Sequence, residues 1–253
     1  MSDQSTSGGT GDGASSPSAE PAKPSSPWED FIDIFYTPSD VFERRRASGF
    51  GIPMLVVTVL IGGIFLANSG AMQPIMDAEF TRQTAAMMKA NPNLTPEMME
   101  KGRAIGETFQ KIGAFIFLPI AMFLTGLSVW LVGKLFDAKQ SLGAAIMVAS
   151  YSYVVRVVES AVGGVQLLLM DPASLNGRLR ISLGIGRFLD PDTTSPLVLA
   201  LLGRVDVFTI WVTILLGIGL SVTGRIPRST AMIAAVIVWL VGAIPLVLGA
   251  LRQ

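Results

Sequence analysis

The sequence predicts an all-α integral membrane protein with five transmembrane helices, preceded by short amphipathic helices. Half of the 253 residues are hydrophobic and only 15% are charged, and the mean hydropathy is +0.54. That profile is typical of an integral membrane protein. The hydrophobic residues are concentrated in five long segments, each long enough to cross a hydrocarbon core, which needs about 20 residues of α-helix. Composition and segment length together place the chain in a membrane.

Residues 1–27 predict a disordered cytoplasmic tail. Ser, Gly, Thr, Ala or Pro occupies 21 of these positions. The segment therefore has too little apolar surface to offset the entropy cost of ordering it. No apolar run follows the initiator Met closely, so we do not expect a cleavable signal peptide.

Residues 28–49 predict two amphipathic helices at the membrane surface. In the first, apolar side chains recur with i, i+3, i+4, i+7 spacing at Trp28, Phe31, Ile32 and Phe35. Pro38 after Thr37 predicts the start of the second helix, which ends in Arg44, Arg45 and Arg46. The helices either pack on the membrane domain or lie in the headgroup layer with the arginines on anionic lipid. The second interpretation is favoured because the first apolar segment begins four residues later.

Five apolar segments form the predicted membrane domain, residues 50–251. Their approximate bounds are Phe50–Ala67, Ile112–Gly133, Leu142–Met170, Leu197–Val222 and Thr230–Leu251. The third is longer than a straight span needs and should tilt or bend. Glycines recur within these segments, where small residues let helices approach closely in lipid.

The distribution of basic residues predicts a multi-pass protein with a cytoplasmic N-terminus and an exoplasmic C-terminus. On one side, the short flanks of the spans contain Arg44–Arg46, Lys134, Lys139, Arg225 and Arg228. An excess of Lys and Arg in short flanks marks the cytoplasmic side. On the other side, residues 68–111 form a methionine-rich loop with a predicted helix over Pro74–Ala90. A second helix should begin at Pro96, capped by Thr95, and continue into the second span.

Composition also limits the chemistry that the chain can carry. It has no Cys and no His, which excludes thiolate sites, His-ligated haem, HExxH metalloproteases and His-based proton relays. The net charge of zero gives no overall field for nucleic acid. Methionines in the long loop are a potential Cu(I) site, but their adjacent doublets are more typical of packing between short helices. We therefore predict no cofactor, no metal and no enzymatic activity.

Four charged residues fall inside the predicted third and fourth spans: Arg156, Glu159, Arg204 and Asp206. A charge at mid-membrane costs about 2.5–3.5 kcal/mol, so it usually has a partner or faces a cavity. The rise per residue places both pairs at similar depths, which allows ion pairs across the spans. Balanced charges favour a structural cluster, and a polar pathway for an ion or small solute is the alternative. A fourth span that begins at Val205 would instead leave Arg204 in the headgroups.

Two stretches carry a resemblance to a known family. The first is FIDIFYTPSDVFERRR, in which an aromatic segment, a proline and a Val-Phe pair precede the first span. The second is DVFTIWVTILLGIGLSVTGRIPRSTA, which contains Asp206, Phe208 and Trp211 in an Asp-x-Phe-x-x-Trp opening, and Gly219 in an Ile-Gly-Leu ending. Over roughly residues 28–250 the chain resembles the YIP family, the Ypt/Rab-interacting membrane proteins, and is most similar to its bacterial branch.

The resemblance implies a five-helix bundle with a cytoplasmic N-terminus and an exoplasmic C-terminus. Eukaryotic members of the family resemble adaptors for Rab GTPases in membrane traffic. We therefore expect a non-enzymatic scaffold or adaptor in a bacterial cytoplasmic membrane, in membrane organisation or a trafficking-like process. Lipid or a protein partner would contact the aromatic face and the arginines of residues 28–46. A small transporter or channel-like subunit that uses the intramembrane charges is the alternative. The sequence leaves homo-oligomerisation open.

Overall fold

The computed structural model describes residues 26, 28–91, 93 and 95–251. Apart from Ser26, the predicted disordered tail lies outside the described residues. The described part folds into α-helices and three short 3-10 turns, with no β-strand beyond an isolated bridge between Gly184 and Asp206. The helices are α1 (Asp30–Asp33), α2 (Pro38–Arg45), α3 (Gly51–Ala67), α4 (Gln73–Ala90), α5 (Pro96–Leu135), α6 (Leu142–Ser152), α7 (Val154–Leu169), α8 (Pro196–Leu202), α9 (Val207–Gly224), α10 (Arg228–Val241) and α11 (Ile244–Ala250).

Long apolar helices dominate the fold, as expected for an all-α membrane protein. By length and composition, four helical stretches can cross a bilayer: α5, α6 with α7, α9, and α10 with α11. A fifth apolar helix, α3, has 17 residues and is about 25 Å long, slightly less than the roughly 30 Å thickness of the hydrocarbon core. Each of the five predicted spans therefore has a counterpart in the structure.

Helix α6 forms the centre of the bundle. Every residue from Ala144 to Ser152 is buried, and α6 packs against α3, α5 and α9. Gly126 lets α5 approach α6, because a Cβ at this position would lie 2.5 Å from Ile146 Cα. Any side chain there would push the two helices apart. Close packing through small residues is the main source of helix association in lipid.

The short connections meet at one end of the bundle, which we call the turn end. The backbone N–H of Lys139 donates to Gly224 O at 2.9 Å, so the turn after α5 contacts the turn after α9. Arg228 Nη2 donates to Ser39 Oγ at 3.3 Å, which brings α2 to the same end. The short basic flanks that the sequence assigned to one side of the membrane therefore meet here.

The long connections lie at the opposite end, which we call the loop end. Three 3-10 turns between Pro172 and Phe188 lie in the loop after α7. Arg178 from this loop forms an ion pair with Glu79 of α4 at 2.9 Å. The loop after α7 and the helix after α3 are thus held together by charge.

Both helices of the methionine-rich loop were predicted from the sequence. Helix α4 begins one residue earlier than expected, at Gln73, and ends at Ala90 as expected. Helix α5 begins at Pro96, where Thr95 Oγ1 accepts a hydrogen bond from the N–H of Met98 at 3.3 Å. As predicted, α5 continues from the loop into the membrane domain as one helix of 40 residues.

Two of the predicted spans contain a short interruption. The bend expected in the third span coincides with Tyr153, between α6 and α7, where the N–H of Arg156 donates to Tyr153 O at 2.9 Å in a 3-10 contact. The fifth span is interrupted at Gly242 and Ala243, between α10 and α11. The interruption of the fifth span was not predicted.

The prediction of one continuous fourth span, Leu197–Val222, is wrong. Helix α8 ends at Leu202 and α9 begins at Val207. Asp206 favours the new start, because its Oδ1 accepts a hydrogen bond from the N–H of Thr209 at 2.9 Å and caps the first turn of α9. An average of hydropathy along the chain does not detect a helix N-cap such as Asp206. The apolar residues before and after it therefore hide the break between α8 and α9.

Candidate functional site

The N-terminal hairpin, residues 28–46, is part of the folded bundle. Ile34, Val41 and Phe42 of the hairpin are completely buried, and α2 packs along α9. The sequence left two arrangements open for these helices, packing on the membrane domain or lying among lipid headgroups. In the structure they pack on the membrane domain, and contact with lipid stays a prediction.

Two aromatic pairs attach the hairpin to the membrane helices. The ring centroid of Phe31 lies 5.6 Å from that of Tyr151 in α6. Phe35 meets Trp211 of α9 edge-on, with 5.3 Å between ring centroids. Such pairs stabilise a contact by about 0.5–1.5 kcal/mol beyond the area that they bury. Half of the predicted apolar face is therefore directed at the bundle.

The remaining apolar residues of the hairpin are exposed. Trp28 and Ile32 are 66% and 64% exposed, and Tyr36, four residues after Ile32, is 81% exposed. We call these three residues the exposed face of the hairpin. Tyr36 was not among the contact residues predicted from the sequence, although it continues the same helical spacing.

A buried carboxylate joins the two helices of the hairpin and contacts the bundle at one point. Asp30 is completely buried; its Oδ1 lies 2.8 Å from Arg44 Nη2, and its Oδ2 accepts from Arg45 Nε. The hydroxyl of Tyr151 lies 3.5 Å from the same Oδ2. We call Asp30, Arg44, Arg45 and Tyr151 the Asp30 clamp. Loss of one partner from such a buried group would leave an uncompensated charge.

The three arginines predicted to lie on anionic lipid all have carboxylate partners within the hairpin. Arg44 also contacts Asp33 Oδ2 at 2.6 Å, and Arg46 lies 3.8 Å from Glu43. Burial disfavours the charged form of Arg44, but its hydrogen bonds to Asp30 and Asp33 outweigh burial and raise the pKa of the guanidinium. These contacts stabilise the hairpin internally and leave only part of each guanidinium accessible.

The Asp-x-Phe-x-x-Trp motif positions the start of α9 against the hairpin. Asp206 caps the helix, and Phe208 is buried in the core, 6% exposed. Trp211 is the residue that receives Phe35. One motif thus combines a helix start, a core residue and a docking surface.

Gly219, in the Ile-Gly-Leu ending, is a point of close approach between α9 and two of its neighbours. A Cβ at this position would overlap the side chain of Val148 and lie 3.2 Å from Phe42 Cε2. The absence of a side chain therefore lets α6 and α2 pack on the same stretch of α9. Both ends of the motif serve to hold the hairpin.

The comparisons with known proteins agree with this arrangement. The family model of the Yip1 domain matches residues 32–249, which covers the hairpin from Ile32 onward and the membrane helices up to residue 249 in α11. The chain belongs to the Yip1 family. No curated protein and no solved structure matches it. The resemblance to the YIP family is confirmed, whereas the assignment to the bacterial branch stays a prediction.

Three of the four predicted intramembrane charges of this Yip1 domain are brought together. Arg156 and Glu159 form an ion pair within α7, with 2.5 Å between Nη1 and Oε2. Arg156 Nη2 donates to Thr209 Oγ1 at 2.9 Å, and that hydroxyl donates to Asp206 Oδ2 at 2.5 Å. We call these four residues the Thr209 relay. It connects the first two turns of α7 to the start of α9 through a threonine that the sequence analysis did not single out.

Arg204 differs from the prediction that placed it in the same cluster. Its Nη2 donates to Trp239 O at 2.9 Å and its Nη1 to Gly242 O at 3.1 Å. The guanidinium also lies over the Trp239 ring, 5.5 Å from the centroid. Carbonyls at a helix end lack intrahelical partners, so the break between α10 and α11 supplies acceptors that attract Arg204 away from the carboxylates.

The Yip1 domain shows no metal centre among the residues that the structure describes, since no three His, Cys, Asp or Glu side chains come together there. The loop methionines lie instead around a cavity of about 490 Å³ between α4 and α5. Those that line it are Met76, Met87, Met98 and Met99. The guanidinium of Arg103, also at this cavity, lies 5.3 Å from the centroid of the Phe80 ring. Flexible thioethers are well suited to fill such an irregular space.

Proposed function

We propose that this Yip1-family protein is a non-enzymatic membrane scaffold or adaptor whose contact surface is the exposed face of the N-terminal hairpin. The observation that carries the proposal is the division of the hairpin into two sides. One side is fixed to the bundle by the Asp30 clamp and the aromatic pairs. The other presents Trp28, Ile32 and Tyr36 outward.

A surface held in this way is suited to recognition. Trp and Tyr supply large contact areas with few rotatable bonds, and they are enriched at the centres of protein interfaces. A partner that binds a fixed surface does not have to pay the cost of ordering it. The hairpin therefore offers a preorganised aromatic contact on a chain that is otherwise largely embedded in lipid.

The proposal includes an orientation in which the turn end faces the cytoplasm of a bacterial cell. The short flanks at that end carry several basic residues: Arg44–Arg46, Lys134, Lys139, Arg225 and Arg228. Basic residues in short flanks favour the cytoplasmic side. In this orientation the N-terminus is cytoplasmic and the methionine-rich loop is exoplasmic.

The intramembrane charges are paired within the protein, which supports a structural role for them in the proposed scaffold. Arg156 is shared between Glu159 and Thr209, and Arg204 is held by backbone carbonyls. A transport pathway needs groups that exchange partners with a moving solute. No contact in the described part of the chain specifically favours that alternative.

Site-specific photo-crosslinking in native membranes tests the adaptor proposal. A photoreactive residue at position 32 should capture a discrete protein, and Trp28→Ala with Tyr36→Ala should reduce the captured amount at least about tenfold, because aromatic anchors at interfaces often contribute 2 kcal/mol or more. The matched control is Leu168→Ala with Leu169→Ala, two residues that are 71% and 80% exposed at the other end of the bundle. Equal capture by the aromatic variant and the leucine control would contradict the proposal.

A further inference from the structure

A second cavity opens at the loop end of the bundle, away from the hairpin. It has a volume of about 480 Å³ and lies between α3, α7 and the connections at residues 178–182 and 203–206. Ligand sites in proteins are typically clefts of roughly 300–1,000 Å³, mostly apolar, with a few placed polar groups. Ile61, Phe65 and Leu167 contribute apolar surface to this pocket, and Glu159, Ser160 and Asn68 contribute polar groups.

Each of these three polar side chains of the pocket has an oxygen that accepts no hydrogen bond from the described residues. Glu159 gives Oε2 to Arg156, while its Oε1 accepts no hydrogen bond from any described residue. The hydroxyl of Ser160 donates to Arg156 O at 2.8 Å, which leaves its oxygen lone pairs available. Asn68 donates from Nδ2 to Ile64 O at 2.9 Å, and its oxygen accepts nothing within the described part of the chain.

The cations near the pocket are already engaged. Arg178, which lines the mouth, forms an ion pair with Glu79 at 2.9 Å. Arg156 is held between Glu159 and Thr209. The second carboxylate of the lining, Asp206, accepts two hydrogen bonds from Thr209. A ligand that enters therefore meets several acceptors, and both arginines near it already have a carboxylate partner.

We propose that this pocket binds an organic molecule that carries a primary ammonium group on an apolar body. An ammonium offers three donors and no acceptor, and it is costly to bury without partners. Glu159 Oε1 provides an ionised acceptor, and the aliphatic and aromatic lining covers the body of the ligand. The proposal is independent of the adaptor function, because no residue of the hairpin lines the pocket.

Two neighbouring glycines in α7 provide matched variants that leave every charge in place. A Cβ at Gly164 would lie 2.8 Å from Asn68 Nδ2, so Gly164→Ala displaces the Asn68 amide at the pocket wall. A Cβ at Gly163 would have its nearest neighbour, Ile181 Cδ1, at 3.8 Å, an ordinary contact. Both residues line the pocket, and only one substitution changes its polar wall.

Equilibrium dialysis of labelled phenethylammonium against the purified protein in phosphatidylcholine nanodiscs tests the proposal, with empty nanodiscs as the blank. We expect saturable binding at one site. Phenethyl alcohol and phenylacetate, which have the same apolar body, should bind at least about tenfold more weakly, because neither can form an ion pair with Glu159. Glu159→Gln and Gly164→Ala should each weaken ammonium binding by a similar factor, and Gly163→Ala should leave it within about twofold.

Absence of saturable binding above that of empty nanodiscs would overturn the proposal. Equal binding of the alcohol would overturn it as well, because recognition would then involve only the apolar body. If Glu159→Gln does not yield folded protein, the comparison of Gly164→Ala with Gly163→Ala tests the site instead. Equal affinity of these two variants for the ammonium ligand would overturn the proposal. Addition of phosphatidylethanolamine to the nanodiscs distinguishes two sources of the ligand: competition supports a lipid amine headgroup, and unchanged binding supports a free amine.

Discussion

The Asp30 clamp and the Thr209 relay contain the same types of group in different surroundings. Each joins arginine to a carboxylate, and each links segments that are distant in sequence. Asp30 is completely buried beneath two arginines, whereas the Glu159 side chain is 34% exposed and lines an open pocket. A buried charge that loses its partner is strongly destabilising, and an accessible pair contributes little. The clamp should therefore stabilise the fold, while the relay keeps a carboxylate accessible.

The largest effect is expected from Asp30→Asn. This change keeps the shape of the side chain but leaves Arg44 and Arg45 without their shared buried carboxylate. We expect the folded state to be destabilised by about 3–5 kcal/mol, measured as a lower midpoint of thermal unfolding in nanodiscs. Asp33→Asn is the matched control, because Asp33 contacts Arg44 from a position that is 37% exposed, and it should cost under about 1 kcal/mol. Equal midpoints for the two variants would show that the buried carboxylate of the clamp contributes no more to stability than the exposed one.

The next largest effect is expected from Gly219→Ala. The added methyl group would overlap Val148 and press on Phe42, so α9 must move away from α6 and from the hairpin. Overpacking of this kind costs about 1–3 kcal/mol. Gly63→Ala is a suitable control, since no atom lies within 4 Å of a Cβ at that position. A midpoint for Gly219→Ala as high as that of the control would show that the three helices do not meet there as described.

The sequence predicted α4 and α5 because their signals are local. Thr95 and Pro96 define a helix start by their own chemistry, and the long apolar stretch that follows needs no distant partner. The Asp30 clamp could not be predicted in this way. Asp30 follows another acidic residue, Glu29, and helical periodicity does not distinguish a buried carboxylate from a solvated one when its partners lie 14 and 15 residues away.

A smaller effect is expected at the Thr209 relay. Glu159→Gln leaves Arg156 hydrogen-bonded to Thr209, so the folded state should lose under about 1 kcal/mol. The double variant Arg156→Gln with Glu159→Gln should recover part of that loss, because it leaves no charge without a partner. Amounts of folded protein after heating, compared among the parent, both single variants and the double variant, measure this coupling. A loss as large as that of Asp30→Asn would show that the relay also holds the bundle together.

The relay itself was predictable only in part. Charges spaced three apart in an apolar run indicated the Arg156–Glu159 pair correctly. Depth along a straight helix suggested that Arg204 would join them, but the break before α9 and the open carbonyls near Trp239 redirect its side chain. A depth calculated from the rise of a straight helix is wrong wherever a helix ends or begins inside an apolar segment, as one does at Asp206.

The side of the membrane on which each end of the bundle lies is a separate prediction. It is measured by cysteine labelling and not by unfolding. The chain contains no Cys, so single cysteines report their side of the membrane without background. Met88→Cys at the loop end should react with a membrane-impermeant maleimide in intact cells, and Tyr36→Cys in the hairpin should react only after lysis. The reverse pattern would place the hairpin outside the cell and remove the basis for a cytoplasmic adaptor.

The most direct test of the central claim is whether the hairpin is held on the bundle in a native membrane. Ser39 Oγ and Arg228 Nη2 are 3.3 Å apart, so a short bifunctional maleimide should connect Ser39→Cys to Arg228→Cys in membrane vesicles, as identified by mass spectrometry of the joined peptides. A pair that combines Ser39→Cys with Leu168→Cys at the opposite end should not be connected. Addition of Asp30→Asn should reduce the product from the first pair. Equal products from the two pairs, or a product insensitive to Asp30→Asn, would contradict a hairpin fixed by the Asp30 clamp.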